Sequence, residues 1–485
     1  MTHASYKGIP PLAGLCTMEE ALRPGLPVAE CVRRLKRFHY AFVRLHGILT
    51  SRITAEPIYE LKTAFAHHAY LCAEHATAIR QRVSEMREPP LGLDEVPHPA
   101  LEAFFDEIQC APTTASLVSG IYTSINYIHD AVSIYMGDTH PLTDAPTRRL
   151  LKFAWTELDE MMSFGEAAAG NLELLENHTI RKWKYDALSP LLAYAGGMDG
   201  TANPRAISTS NPKAVVNASG TGDVDLPRHF SKSPFQYDPV PRRDERFTDL
   251  WNQGVNAEAF LYSDKYPPKC KALMMLFKRI REIDVPEMMA SILAESKGKP
   301  WGYYRDMARQ IWDEARHAMM GEVGFTALGV DWTQCRVTWN WSHRLNTECT
   351  PLERHAVLFF IEQGLMPKTG KRYEYEVAHE SGIPLMATIQ DFDWADEVLH
   401  SQIGRQWLVP DFGGLQNALD FGDKAWAKIT SNWTTVRDQG LTQHENWWPN
   451  VYKQACVAAG EEPNAEVLAF CETYETKRAD IHRKA

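Results

Sequence analysis

The stretch Asp313-Glu314-Ala315-Arg316-His317 returns as Asp396-Glu397-Val398-Leu399-His400, with Glu and His each displaced by 83 positions. Nothing around either copy breaks a helix, and residues three apart on a helix share a face. Glu314 and His317 can therefore reach one metal ion, and so can Glu397 and His400. With 18 histidines in the chain, about one Glu-x-x-His is expected by accident; this chain has four. Glu95-Val96-Pro97-His98 carries proline inside the motif and lies in a proline-rich turn. Glu376-Val377-Ala378-His379 is preceded by Tyr375 and is followed by Gly382 and Pro384, which end its helix within a turn. The 314 and 397 copies are each preceded by Asp inside a long uninterrupted helical pattern, and they are the pair expected to bind metal.

Two Glu-x-x-His helices, completed by one Glu from each of two neighbouring helices, form the donor set of a carboxylate-bridged pair of iron or manganese ions. For the first half the completing Glu is chosen by height along an antiparallel helix pair. Glu314 lies 14 residues past Pro300, about 21 Å at the helical rise. Glu282 lies 14 residues before Ser296, and Glu287 only 9. Glu282 is therefore expected, with Glu287 as the alternative because Pro286 must kink the helix. For the second half, Glu362 is the single carboxylate in the apolar run Val357 to Glu362, a costly placement unless something pairs it. Glu374 and Glu376 are expected on a solvated face. The expected metal ligands are thus Glu282, Glu314, His317, Glu362, Glu397 and His400, with Glu314 and Glu397 central to the chemistry. Asp313 and Asp396 are expected to accept from the outer N–H of the two imidazoles, and Arg316 to tie helices together by an ion pair.

A hydrophobic share of 44% and a charged share of 23% are those of an ordinary globular protein. The net charge of −11, with no Lys/Arg block, argues against nucleic acid or an anionic membrane as partner. No apolar leader and no run of 18 apolar residues occurs, so export and membrane spanning are not expected and a cytoplasmic location is. The nine cysteines are scattered, never in Cys-x-x-Cys, and read as reduced thiols.

Outside residues 186–268 the pattern along the chain is helical, which predicts an all-α protein. Thr17-Met18-Glu19-Glu20 is a capping-box pattern. Helices are expected from about Val28, from near Pro57 to about Met86, and over roughly 99–109, 113–136 and 145–176, giving an N-terminal helical bundle over 1–185. That bundle carries His67, His68, Glu74, His75, Asn126, His129, Glu157 and Glu160, but Asn126-Tyr127-Ile128-His129 offers an amide where a hard ion wants a carboxylate, so it is read as metal-free. Residues 186–268 are rich in Gly, Ser, Asn and Pro and are expected to be an irregular linker. A di-metal four-helix bundle is expected over 269–410, and a Trp-rich helical extension over 411–485.

Residues about 240–408 resemble the ferritin-like superfamily, and within it a bacterial branch similar to tRNA-hydroxylase-type di-iron proteins. The matching segments are Pro239-Val240-Pro241-Arg242-Arg243, Glu282, Asp313-Glu314-Ala315-Arg316-His317, Ile361-Glu362-Gln363-Gly364-Leu365, and Asp396-Glu397-Val398-Leu399-His400 with Ile403-Gly404-Arg405-Gln406-Trp407. The departure is Asp284-Val285-Pro286 within the first ligand helix. The resemblance implies a ferritin-like bundle holding two Fe ions, or Mn in one or both places, with O2 as co-substrate and an external electron donor. The expected function is a non-haem di-iron oxygenase or oxidase that hydroxylates, desaturates or N-oxygenates a small-molecule substrate. A ferroxidase or peroxide-reducing rubrerythrin-like protein is the alternative, and a non-catalytic helical scaffold the second. The acidic charge sits badly with a tRNA substrate. Tyr303, Tyr304, Trp312, Phe392 and Trp394 suggest an apolar pocket but fit a core equally; a homodimer is left open.

Overall fold

The structure, a computed structural model, describes residues 5–86, 92–172, 177–202, 226–247, 251–252, 254–338, 340–430, 438–442 and 444–474. Among these residues it is all helical, with no strand. The longer elements are α1 (Val28–Ile53), α2 (Tyr59–Glu85), α3 (Pro99–Gln109), α4 (Thr114–Asp138), α5 (Ala145–Asn171), α6 (Pro268–Arg281) and α7 (Asp284–Glu295). They continue with α8 (Trp301–Ala327), α9 (Asn340–Glu348), α10 (Pro351–Gly364), α11 (Lys371–Glu380), α12 (Pro384–Trp407), α13 (Leu415–Thr430) and α14 (Trp448–Ala459). Proline in the first turn opens α3, α6, α10 and α12, where its missing N–H costs no helical bond. Reciprocal side-chain caps fix the starts of α4 (Thr113 with Ser116) and α10 (Thr350 with Glu353). The capping box at Thr17 is also formed, but it starts only the short helix Met18–Ala21.

The chain divides into two compact units, one of residues 1–48 and 71–236, the other of 49–70 and 237–485. The division falls inside α1 and inside α2, so it departs from the expected boundaries at 185, 268 and 410. Periodicity reports that a helix exists but not which neighbours each end of it packs against, which is why a mid-helix division was invisible in the sequence.

In the first unit, part of the segment expected to be linker is tied down by buried charge. Carbonyls of Ala195, Gly197 and Met198 accept from the Arg37 guanidinium at 2.7–2.9 Å. Gly196, Gly197 and Gly200 all have positive φ, which lets this tight turn aim three carbonyls at one cation. The fully buried Glu107 accepts from the backbone N–H groups of His229, Phe230 and Ser231 and from the Trp183 indole. Residues 186–194 are helical, not irregular, and residues 203–225 of the expected linker lie outside the described residues.

In the second unit, α7 packs on α8, α8 on α12, α12 on α10 and α10 on α7, so four helical segments close a ring. α6 also packs on α8, and α11 on both α6 and α12. Close approach is built in by glycine. A Cβ at Gly321 of α8 would lie 2.6 Å from the Ile280 backbone nitrogen of α6, so only hydrogen fits there. Trp426, Trp447 and Trp448 are buried, as expected of aromatic packing in the C-terminal extension; Trp433 lies outside the described residues.

Candidate metal centre

All six expected ligands meet within the second unit. Four of the side chains come from the doubled motif on α8 and α12, Glu362 comes from α10, and Glu282 comes from the break between α6 and α7. The break has the expected cause. Pro286 has no N–H to offer the Glu282 carbonyl, and α6 ends at Arg281, with the Glu282 N–H bonding back to Arg279 at 3.0 Å. Glu282 thereby points at His317, its Oε2 lying 3.4 Å from Nδ1. Glu287 points elsewhere, to Lys62 and Arg243, so of the two alternatives it is Glu282 that joins the cluster.

Glu314 stands between the imidazoles, with Oε1 3.2 Å from His400 Nδ1 and Oε2 3.6 Å from His317 Nδ1. Glu362 Oε1 and Glu397 Oε2 lie 3.8 and 3.7 Å from His400 Nδ1. Donor atoms of Glu314, Glu362, Glu397 and His400 lie within 4.8 Å of one another, and so do those of Glu282, Glu314 and His317. Donors that share one first-row divalent ion at about 2.0–2.2 Å stand roughly 3–4 Å apart, so both groups fit an ion. Glu282 Oε2, Glu397 Oε2, His317 Nδ1 and His400 Nδ1 are buried and make no hydrogen bond. Four orphaned atoms converging on one place is an arrangement that a folded protein rarely tolerates without a ligand.

The outer nitrogens are held crosswise. His317 Nε2 on α8 lies 3.1 Å from Asp396 on α12, and His400 Nε2 on α12 lies 3.4 Å from Asp313 on α8. An N–H donated to each aspartate leaves Nδ1 facing inward, available to an ion once it has lost its proton. Arg316 binds both aspartates, at 2.6 and 2.7 Å, the interhelical ion pair expected of it. Arg309 adds a second cation to Asp313 at 2.8 Å.

Electrostatics show how crowded the charges are. Burial would lower the His317 pKa, but Asp396, Glu282 and Glu314 more than offset it and push it up to about 10. His400 rises for the same reason, through Asp313, Glu314 and Glu397. Burial, and then Glu397, raise Glu362 far above the ordinary carboxylate range. Without an ion the cluster thus balances itself with protons, and any ion bound there must displace them.

Other residues at the cluster were not foreseen. Lys371, at the start of α11, reaches Glu397 Oε1 at 2.7 Å and Asp393 at 2.9 Å, and lies 3.7 Å from Glu282. Arg279 pairs with Glu282 at 2.7 Å and with Asp393. Gln310 donates to Glu362 at 3.0 Å. Asp393 and Gln310 had a readable signal, since each lies four residues before its motif Glu and so on the same face; Lys371 had none. Glu374 corrects the sequence reading. It is fully buried, because Lys278, Arg279, Gln390 and Tyr262 supply its partners. Glu376 is exposed as expected. Of the aromatic residues near the motifs, Tyr303 is core while Phe392 is 57% exposed, so they do not line one pocket.

Comparison of the chain with models of protein families, with curated proteins and with solved structures gives no match. What fold and site define together is an all-helical chain carrying a buried carboxylate and imidazole cluster. No helix among the described residues is long and apolar enough to cross a membrane.

Proposed function

We propose that the second unit is a ferritin-like four-helix bundle of α6–α7, α8, α10 and α12 holding two first-row divalent ions, iron foremost, and that it activates O2 to oxidise a small organic molecule. The observation that carries this reading is the convergence of six donors, five buried and Glu282 partly so, from four helical segments, with four of their inward atoms lacking hydrogen bonds. Two bound Fe(II) ions would supply the electrons that reduce O2, with an external donor restoring them. The rest is the work of the chain. Glu314 offers one oxygen to each half of the cluster. Asp313 and Asp396 fix the tautomer and the ring plane of the two histidines, and Arg316 holds both aspartates in place. Burial of five of the six ligands, with Glu282 partly exposed, limits the access of water.

A ferroxidase is the alternative within the same chemistry. A metal-free scaffold is favoured by a different observation: Lys371 and Arg279 already neutralise part of the acidic charge. Elemental analysis after anaerobic Fe(II) loading, followed by O2 uptake and an optical spectrum, separates the three. About two irons per chain, with O2 consumed in the presence of an organic substrate, supports the oxygenase; O2 consumed only as iron is oxidised and released supports the ferroxidase. Protein that holds no metal under any loading condition is the scaffold.

A further inference from the structure

The doubled motif matches α8 with α12 at the cluster, yet the outer faces of the two helices differ. At the offset of 83, Arg309 corresponds to Phe392 and Arg316 to Leu399. Arg305, Arg309 and Arg316, spaced by four and seven residues, fall on one face of α8. Their side chains are 43, 38 and 26% exposed, while the aspartates that pin them, Asp306, Asp313 and Asp396, are 13, 0 and 9% exposed. Positive charge thus faces outward and its counter-charge inward, on a chain whose net charge is −11. Beside it α12 presents the ring of Phe392, 57% exposed, one helical turn before the Asp396 that Arg316 holds. This face lies directly behind the imidazoles. His400 leads through Asp313 to Arg309 by contacts of 3.4 and 2.8 Å, and His317 through Asp396 to Arg316 by contacts of 3.1 and 2.7 Å. The cations on Glu282 and Glu397, Arg279 and Lys371, are 0 and 1% exposed and give a partner nothing to touch.

We propose that the face formed by Arg305, Arg309, Arg316 and Phe392 docks an acidic protein that carries a one-electron centre, and that electrons cross there to the ions. This inference rests on the metal reading above, which calls for an external donor. Three requirements of such a partner meet on this face. An acidic carrier is repelled by a chain of net negative charge unless a local positive patch steers it. Electron-transfer encounters bury less than about 1,200 Å², so one helix face and one exposed ring are enough, and arginine and aromatic side chains are the kinds that interfaces favour. The shell between carrier and imidazole is thin, because one aspartate and one arginine make it up on each side. Each docking passes one electron: the carrier is oxidised by one, and one ferric ion becomes ferrous. Two dockings restore the pair.

The test uses full-length protein and, as probe, a plant-type [2Fe–2S] ferredoxin, an acidic one-electron carrier. Calorimetry on metal-free protein should show binding at low ionic strength that weakens about tenfold or more at about 0.3 M salt. Arg305→Glu and Phe392→Asp should each weaken it about tenfold. Arg405→Glu should not, since Arg405 leaves α12 on the side that pairs with Gln363 of α10. All three side chains reach the surface, so the variants should keep the fold, checked by circular dichroism. In iron-loaded, oxidised protein the rate of reduction by reduced ferredoxin should fall in the same order, while dithionite reduces wild type and variants alike. Ferredoxin that does not bind the wild type at low salt, or that binds and reduces Arg305→Glu and Phe392→Asp as well as the wild type, overturns the inference and leaves the metal reading standing. Protein that takes up no iron under any loading condition takes the metal reading down, and electron delivery with it, whatever the binding shows.

Discussion

Glu282 and Glu287 are five residues apart on either side of Pro286, and they end in two buried charged clusters of opposite character. Around Glu287 every group is answered. The Lys62 ammonium donates to Glu287, to the Thr54 carbonyl at 3.3 Å and to the Arg242 carbonyl at 3.1 Å, three acceptors for three N–H bonds. The Arg243 fork grips both oxygens of Glu287 at 3.0 and 2.9 Å, and Ser342 adds a hydroxyl at 3.0 Å. Burial raises the neighbouring Asp284 carboxyl to about 7, so a proton helps to settle its charge. Around Glu282 and Glu314, by contrast, inward atoms stay unanswered. Buried charge by itself marks only a place where the fold spent hydrogen bonds. Convergent unanswered donors mark a place where something else belongs.

The comparison predicts opposite phenotypes for one substitution made in each cluster. Glu287→Ala should cost about 3–5 kcal/mol of unfolding free energy, because Lys62 and Arg243 are left buried without their anion. Glu314→Ala, which opens the same cavity, should cost the metal-free protein less, because His317 and His400, which Glu314 helps to hold protonated, can give up their protons whereas the Arg243 guanidinium cannot. It should nevertheless abolish binding of the ion pair with helicity near wild type. Urea unfolding, circular dichroism and metal analysis of the two variants check this. Equal destabilisation, with metal retained by Glu314→Ala, would erase the distinction.

A second answered pair gives a pH signature. Burial would raise the Glu258 carboxyl, but Arg281, Lys278 and the Tyr474 hydroxyl more than offset it and bring it to about 2. Its folded pKa is depressed, so its stabilisation is complete above the unfolded value of about 4.5 and is lost as pH falls from there toward 2, a change of about 3 kcal/mol. Glu258→Gln should flatten that part of the stability curve, measured by denaturant unfolding at stepped pH. If the acid limb is unchanged, Glu258 is not the answered charge its geometry indicates. Asp396→Asn ranks next. An amide in place of the acceptor loosens His317 without removing a ligand, and ion affinity should fall about 10–100-fold, read by competition with a chelator. An unchanged affinity would mean that the crossed aspartates do no orienting.

How much of this was legible follows from which residues carried a local signal. The all-helical fold was legible from apolar spacing, and the helix over 99–109 begins at Pro99 as expected, with proline in its first turn. The six clustered side chains were legible because the donor spacing repeats and because height along the helix pair favoured Glu282; Pro286, the argument for Glu287, instead ends α6 at Arg281 and leaves Glu282 beside His317. Lys371 was not, since a lysine beside Gly370 and Arg372 reads as a solvated turn until tertiary packing seals it. Glu374 failed for the same reason: its partners Lys278, Arg279 and Gln390 are distant in sequence. The division of the chain inside α1 and α2 also had no local trace. Sequence periodicity reports one face of a helix at a time, whereas cross-helix charge matching is a property of the pair.

The smallest expected effect is also the strictest check on the motif argument. Glu376 and His379 on α11 have the same Glu-x-x-His spacing as the two buried copies, and both are exposed. Glu376 pairs with Arg372 across one helical turn at 2.9 Å, with each side chain about half exposed. An exposed pair of this kind contributes between nothing and about 1 kcal/mol, and among the described residues it belongs to no group of three convergent donor residues. Glu376→Ala with His379→Ala should therefore change unfolding free energy by less than about 0.5 kcal/mol and leave metal stoichiometry untouched. Loss of one equivalent in that double variant would mean that spacing alone recruits the ion. The buried convergence at Glu314 would then have to be read as packing, and the difference between the answered and unanswered clusters would lose its meaning.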